Sequence, residues 1–323
     1  MSDRPLVCVT GAAGFIGSHL AERLLAEGYP VLGIDCFTDF YARAAKERNL
    51  AAARAQPAFR FVEGDLLALD LAALLREVEV VYHQAAQAGV RGSWGPQFAT
   101  YLRNNVQATQ RLLEAARAGM PRLRRIVYAS SSSVYGTCPD LPLGEASRPE
   151  PFSPYGVTKL AGEHLCRLYH RNDGLPVVSL RYFTVYGPRQ RPDMAFHRFC
   201  RAILRGEPLE IFGDGEQTRD FTFVADAVEA NLLALGPGLD GEVFNVGGGA
   251  QATVNEALRI LGEMSGRPAP VRHLPAQRGD MRHTCAETRA ARQRLGFSPR
   301  VGLREGLARE LEWVSANLDD PGN

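Results

Sequence analysis

Lysine is almost missing from this chain. Of its 37 basic residues in 323, only Lys46 and Lys159 are lysines, and all the others are arginine. No excess of charge exists either: 36 acidic residues leave a formal charge of +1, and the longest basic block is "RLRR" at 122–125. A near-neutral chain without a basic stripe argues against a nucleic-acid partner or a membrane surface, and the short block reads as a solvated turn. No apolar run could span a bilayer, and the first strand-like segment, "LVCVTG", is too short for a signal peptide. Cysteines are few and scattered, at 8, 36, 138, 166, 200 and 285, with no CxxC. They read as small buried hydrophobes in a reducing cytoplasm rather than a disulfide framework. The seven histidines form no HExxH and no pair at metal-ligand spacing, so no metal is expected.

The chain does contain a regular alternation. "LVCVTG", "PVLGID", "FRFVEGD", "VEVVYHQAA", "RIVYASSSS" and "LPVVSLRYF" are short β-branched runs, separated by amphipathic stretches such as "HLAERLLAEG". Strands spaced by helical patterns predict an α/β fold, a doubly wound parallel sheet with crossover helices over residues 1–183. After Tyr186, Gly and Pro become frequent ("YGPRQRPD", "GEPLEIFGDGE") and short strands mix with helices. That texture predicts a smaller, mixed α/β substrate lobe over 184–323. A late strand near 242–247, in "GEVFNVGG", is a candidate to return to the large sheet. No internal repeat or low-complexity tract is evident.

The first strand runs into "TGAAGFIGSHLAERLL", placing Gly11, Gly14 and Gly17 in G-x-x-G-x-x-G spacing. Glycine there lets backbone N–H groups and a helix N-terminus approach a pyrophosphate. A tight strand–helix turn would use the same residues, but the second strand also ends in a carboxylate, Asp35. A carboxylate at that point accepts from a ribose 2′-hydroxyl and repels a 2′-phosphate, so NAD is favoured over NADP. Asp65, ending the third strand, is placed either to reach the adenine or to cap the strand end.

"SPYGVTKLAGEHL" opens a helix, with Pro154 in its first turn. Tyr155 and Lys159 stand four apart on one face. An ammonium beside a phenol favours phenolate and pulls the tyrosine pKa down from about 10. Y-x-x-x-K also arises by chance on amphipathic helices, but here it takes one of only two lysines. Arginine, bulkier and planar, would not substitute easily. Just upstream, "ASSSSVYG" ends an apolar strand in four serines, at 130–133.

"GAAGFIG", "SSSSVYG" and "PYGVTK" resemble the extended short-chain dehydrogenases/reductases, specifically nucleotide-sugar epimerases and dehydratases, over essentially the whole chain. The resemblance implies NAD in the Rossmann domain and a UDP-sugar in the C-terminal lobe. It implies a Ser/Thr–Tyr–Lys trio with Ser131 as the hydroxyl. "YLRNNVQAT" carries Asn104 and Asn105 at the family's cofactor-side asparagine position. Phe15, Ile16, Ala85, Asn105 and Tyr182 join the glycines, Asp35, Asp65, Tyr155 and Lys159 as the expected cofactor set. Within "IFGDGEQTRDFTFVADAV", Phe212 would lie against the uracil and Arg219 on the phosphates. The family's R-x-G-D contact is altered: Gln277 stands where the arginine would be, and Arg278 or Arg282 is expected to compensate. Helices near 98–118 and 154–171 would pair across a homodimer.

The two residues after Ser131 narrow the chemistry. The family's dehydratases carry Asp-Glu there and the related UDP-glucuronate decarboxylases Ser-Glu, whereas this chain has Ser132-Ser133. Elimination thereby loses its acid–base carboxylate. "SLRYFTVYGPRQRPDMAF", "FTDFYARAAKERNL" and "HQAAQAGVR" are similar to UDP-glucuronate 4-epimerases. The resemblance implies interconversion of UDP-glucuronate and UDP-galacturonate through a 4-keto intermediate. Ser132, Ser133 and Thr184 are expected to hydrogen-bond the carboxylate as short neutral donors. Arg91 and Arg191 are candidates for a longer-range role on carboxylate or phosphate. The alternatives are a UDP-glucose 4-epimerase, then a decarboxylase or dehydratase, then a non-catalytic NAD-binding protein.

Overall fold

The computed structural model describes residues 4–137, 140–249, 251–267 and 270–320. Strands β1 (Val7–Thr10), β2 (Val31–Asp35), β3 (Phe59–Glu63), β4 (Val80–His83), β5 (Arg125–Ser131) and β6 (Val177–Tyr182) make up the first half. They are followed by β7 (Thr184–Tyr186), β8 (Leu209–Phe212), β9 (Thr218–Phe223), β10 (Val243–Val246), β11 (Gln251–Thr253) and β12 (Val271–Leu274). The large sheet runs β3-β2-β1-β4-β5-β6-β10, and every pairing in it is parallel. Its strand order reverses between β1 and β4, which opens a crevice at the strands' C-terminal ends. All residues of β1, β4, β5 and β6 are buried, as expected of central strands covered on both faces.

Helices α1 (Phe15–Ala26), α2 (Arg43–Arg54), α3 (Leu71–Leu74), α4 (Phe98–Tyr101), α5 (Ala108–Gly119) and α6 (Pro154–Asp173) cover the sheet. Between α4 and α5 the chain stays helical but π-wound, over Leu102–Gln107. The longest helix, α6, has a well-defined start and stop. Ser153 caps its N-terminus by accepting from Gly156 N at 3.1 Å, Pro154 occupies the first turn, and Gly174 ends it in left-handed conformation.

Only Phe183 separates β6 from β7, so the chain passes directly from the large sheet into a three-stranded one, β11-β9-β7. A two-stranded sheet, β12-β8, lies beyond it. Helices α7 (Ala195–Arg205), α8 (Val224–Leu233), α9 (Val254–Ser265) and α10 (Leu303–Ala316) pack around these. One apolar cluster runs without a break from Val9 and Leu20 to Leu258 and Phe297, so the C-terminal elements share a core with one face of the large sheet. A second cluster, with Leu112, Ile126 and Cys166, fills the other face. Cys138 lies outside the described residues, and the other five cysteines are free thiols. Among the described residues no helix is long and apolar enough to cross a membrane.

Candidate active site

A cavity of about 690 Å³ occupies the crevice, reaching from the β1–α1 turn to β8. At its first end the chain approaches itself closely. A Cβ on Gly17 would sit 2.1 Å from Gly11 O, and one on Gly11, at φ +70°, would sit 2.8 Å from Ala85 N. Only glycine allows that packing, which brings the N-terminal turn of α1, with Phe15 and Ile16, against the cavity. Beside it, Asp35 accepts from Ala13 N at 3.0 Å and Phe37 N at 2.9 Å, one bond to each oxygen. Each oxygen keeps acceptor capacity, and the residue lines the cavity. Burial pushes the Asp35 carboxyl up, opposed by the Phe37 N–H, the Lys46 charge and the Ala13 N–H. A glycine cradle followed by a hydroxyl-accepting carboxylate fits a dinucleotide.

Asp65 lines the cavity and also holds its own turn, accepting from Leu67 N at 2.9 Å and Arg103 at 2.5 Å. Tyr182 lines it too, its hydroxyl donating to Asn231 Oδ1 at 3.0 Å. Asn105 departs from expectation. Its side chain is buried and spent internally: Oδ1 accepts from Gln87 N at 2.7 Å, and Nδ2 donates to Gln87 O at 3.0 Å and Thr158 Oγ1 at 2.9 Å. Asn104 faces the cavity instead. The two side chains leave the π-wound stretch in different directions, and Asn104's is the one at the cavity wall.

The serine run resolves into separate tasks. Ser130 turns toward α6 and donates to Glu163 at 2.8 Å. Ser131 accepts from Ser133 N at 3.1 Å, and its hydroxyl acts to lower the Tyr155 phenol. Ser131, Ser132, Ser133, Tyr155, Lys159 and Thr184 all line the cavity. Lys159 Nζ donates to Ala129 O at 2.8 Å, 5.3 Å from the Tyr128 ring centroid. Burial holds the Tyr155 phenol above its ordinary value, against the Ser131 hydrogen bond and the Arg191 charge. Burial also pushes Lys159 down to about 8.

At the far end, Arg191 lines the cavity with its guanidinium paired to Asp193 at 2.9 Å and 3.0 Å. Arg91 lies 4.1 Å from the Phe212 ring centroid and pairs with Asp280 at 2.8 Å, and all three line the cavity. Arg219 lines it as well, anchored by a 2.9 Å bond to Thr218 O, and burial pushes its guanidinium down. Arg278 is a correction: it is exposed, stacked 3.8 Å from the Trp94 ring centroid, and lies outside the cavity wall. Arg282 is held by Asp214 at 2.8 Å.

One wall residue belongs to no motif in the sequence. Lys46, the other of the two lysines, is buried against the cavity, donating to Thr38 O at 2.5 Å and Thr38 Oγ1 at 3.2 Å. Its rarity was the available signal, as it was for Lys159.

A family profile, the NAD dependent epimerase/dehydratase family, matches residues 7–247. A Bacillus subtilis protein described as an uncharacterized UDP-glucose epimerase is 45% identical over 312 residues, 96% of this chain and 98% of its own length. A probable UDP-glucuronate 4-epimerase of Rhizobium meliloti is 38% identical over 332 residues, 96% of each chain. Among solved structures, the UDP-glucuronic acid 4-epimerase of Bacillus cereus, in complex with UDP-glucuronic acid and NAD, superimposes with a TM-score of 0.93. It is 45% identical, with 96% of this chain and 99% of that one covered. With the family profile spanning the whole large sheet and these relatives spanning nearly the whole chain, the protein belongs to the NAD dependent epimerase/dehydratase family.

Proposed function

We propose that the protein is a UDP-glucuronate 4-epimerase, interconverting UDP-glucuronate and UDP-galacturonate. The observation that carries this reading is the wall around Tyr155. It presents hydroxyls from Ser131, Ser132, Ser133 and Thr184, and neither of the two residues after Ser131 is a carboxylate. When bound, NAD would supply reversible acceptance of the C4 hydride. Gly11, Gly14 and Gly17 would hold its pyrophosphate and Asp35 its ribose. Tyr155, with Ser131 beside it in the cavity wall, takes the C4 hydroxyl proton and later returns it. Lys159 carries the positive charge at that end of the cavity, and Asn104, Ala85 and Tyr182 add wall contacts. Phe212 supports the uracil, while Arg91 and Arg219 face the diphosphate.

The oxidised sugar is a β-keto acid, which loses CO₂ when its carboxylate bond aligns with the ketone π-system. Ser132, Ser133 and Thr184 hold the carboxylate out of that alignment through single hydrogen bonds, which let the ring turn over. Their neutral hydroxyls also suit a hydroxymethyl group, and the Bacillus subtilis relative is described as a UDP-glucose epimerase. UDP-glucose is therefore the second reading. Incubation with each sugar nucleotide in D₂O, then NMR of the products and CO₂ detection, tests both. Epimerisation of UDP-glucuronate with C4 unlabelled and little CO₂ is expected. Deuterium at C4 would overturn the hydride route, and turnover of UDP-glucose alone would select the second reading.

The same reading includes a homodimer. Val157 and Leu168, eleven residues apart and so on one face of α6, are 49% and 51% exposed, and Leu102 nearby is 40% exposed. Light scattering on the active enzyme checks this, and a fully active monomer would refute it.

A further inference from the structure

Directly behind the serine run lies a buried ion pair that the chemistry above does not use. Glu163 and Arg181 have side chains 6% and 5% exposed. Glu163 Oε2 accepts from Ser130 Oγ at 2.8 Å and Arg181 Nε at 2.9 Å, and Oε1 accepts from Arg181 Nη2 at 2.5 Å. Arg181 Nη1 continues to Tyr135 Oη at 2.8 Å, which donates to Asn245 Oδ1 at 2.7 Å on β10. Ser130 and Arg181 are paired across β5 and β6. Glu163 comes after Tyr155 and Lys159 on α6 in steps of four, so all three residues share one helix face. One carboxylate thus gathers the helix that carries Tyr155, the strand that ends in Ser131 and the strand that ends in Tyr182.

Close approach makes this contact possible. Gly162, beside Glu163, leaves room for Tyr128: a Cβ there would sit 2.1 Å from Tyr128 Oη. Tyr128 Oη in turn donates to Lys159 O at 3.3 Å. An ion pair so deeply buried gains little stability over apolar side chains of the same volume, because desolvation offsets its attraction. What it does supply is direction. A purely apolar face lets a helix settle at neighbouring rotations and heights, whereas a carboxylate with three directed donors has one position. Chemistry at Tyr155 needs that constraint, since a misplacement of ~1 Å can cost about 100-fold in rate.

We propose that Glu163, Arg181 and Ser130 are positioning residues that set the rotation and height of α6, so that the Tyr155 hydroxyl meets Ser131. The proposal rests on Tyr155 being the acid–base group of the epimerisation.

The test is the apolar triple variant Ser130→Ala/Glu163→Leu/Arg181→Met, compared with wild type. The expected result is a folded protein with a melting temperature close to wild type. Its kcat on UDP-glucuronate should fall about ten- to a hundredfold with KM nearly unchanged. Ultraviolet titration of tyrosinate in NAD-loaded protein, blanked with Tyr155→Phe, should show the Tyr155 transition moved to higher pH. A folded variant with wild-type kcat and an unmoved transition would overturn the proposal. Should the triple variant fail to fold, Ser130→Ala and Ser130→Thr decide. Alanine should lower kcat severalfold at constant KM and threonine should restore it, while equal kcat in all three proteins would overturn the proposal. Absence of wild-type turnover would refute the functional reading alone, because the tyrosinate titration still decides the positioning role.

Discussion

At the cofactor end of the cavity, Asp35 is held by backbone N–H groups from residues 22 and 2 positions away. At the opposite end, Arg91 is held by Asp280, 189 positions away. The first arrangement comes from one local turn and one strand end. The second joins loops of different lobes through long side chains, with Arg91 45% exposed. Backbone donors are already oriented when the fold forms, whereas each ordered arginine gives up on the order of 2 kcal/mol of rotamer entropy. A pyrophosphate at the glycine turn therefore meets a finished site. On the proposed reading, a diphosphate at the Phe212 end would compete with Asp280 for Arg91. The two ends differ in preorganisation, and perturbations should separate them.

The largest effect is expected between the two ends, at Tyr155. Tyr155→Phe should lower turnover about 10²–10⁴-fold while leaving both NAD content and UDP-sugar affinity near wild type, by calorimetry. Loss of binding on the same scale would make Tyr155 structural.

Acid should then act on the buried neutral histidines. His83 sits between Thr10 and Thr109 hydroxyls, and burial pushes its pKa down to about 3. His19 and His197 are pushed down to about 4, also by burial. With folded values below the unfolded ~6.5, only the unfolded chain takes up protons as pH falls from there. Stability is complete above pH ~6.5 and should fall, on the order of 1 kcal/mol per pH unit for each histidine, until about pH 4. Urea midpoints measured from pH 7.5 to 4.5 check this, and a flat profile would contradict it.

Asp35→Asn should weaken NAD binding roughly ten- to a hundredfold, from the loss of a charged acceptor, and narrow the preference over NADP. Unchanged NAD and NADP affinities would remove Asp35 from the ribose. Ser132→Ala or Ser133→Ala should cost about ten- to a hundredfold in kcat/KM on UDP-glucuronate, much less on UDP-glucose, with some CO₂ released. Equal losses on both sugars would leave these serines as strand-end packing. The smallest effect belongs to the exposed clasp. Asp280→Asn frees Arg91 and should change KM for the UDP-sugar only severalfold, because exposed ion pairs are weak and screened by salt. A hundredfold change in KM would place Asp280 itself on the ligand.

Much of this was legible in the chain because it depends on short-range geometry. Strand and helix periodicity marks the parallel sheet. The glycine spacing marks the turn before α1, and the four-residue step places Tyr155 and Lys159 on one helix face. A row of serines at a strand end has to meet something polar. The sequence could not decide which way each hydroxyl points: Ser130 went to Glu163 and Ser131 to Tyr155. It chose Asn105 for the cofactor, but the π-wound stretch packs that side chain against Gln87 and Thr158 and leaves Asn104 at the cavity wall. Arg278 or Arg282 was expected to replace the motif arginine that Gln277 displaces, but Arg278 stacks on the Trp94 face and Arg282 pairs with Asp214. Lys46 was visible only as a rarity until the loop after β2 folded over it. Local spacing and hydropathy determined the glycine turn before α1, the helix that carries Tyr155 and Lys159 together, and the run of parallel strands. Partners far apart in the chain, Glu163 with Arg181 and Arg91 with Asp280, were decided only by tertiary structure, because a charge's partner is set by distance in space rather than by separation in sequence.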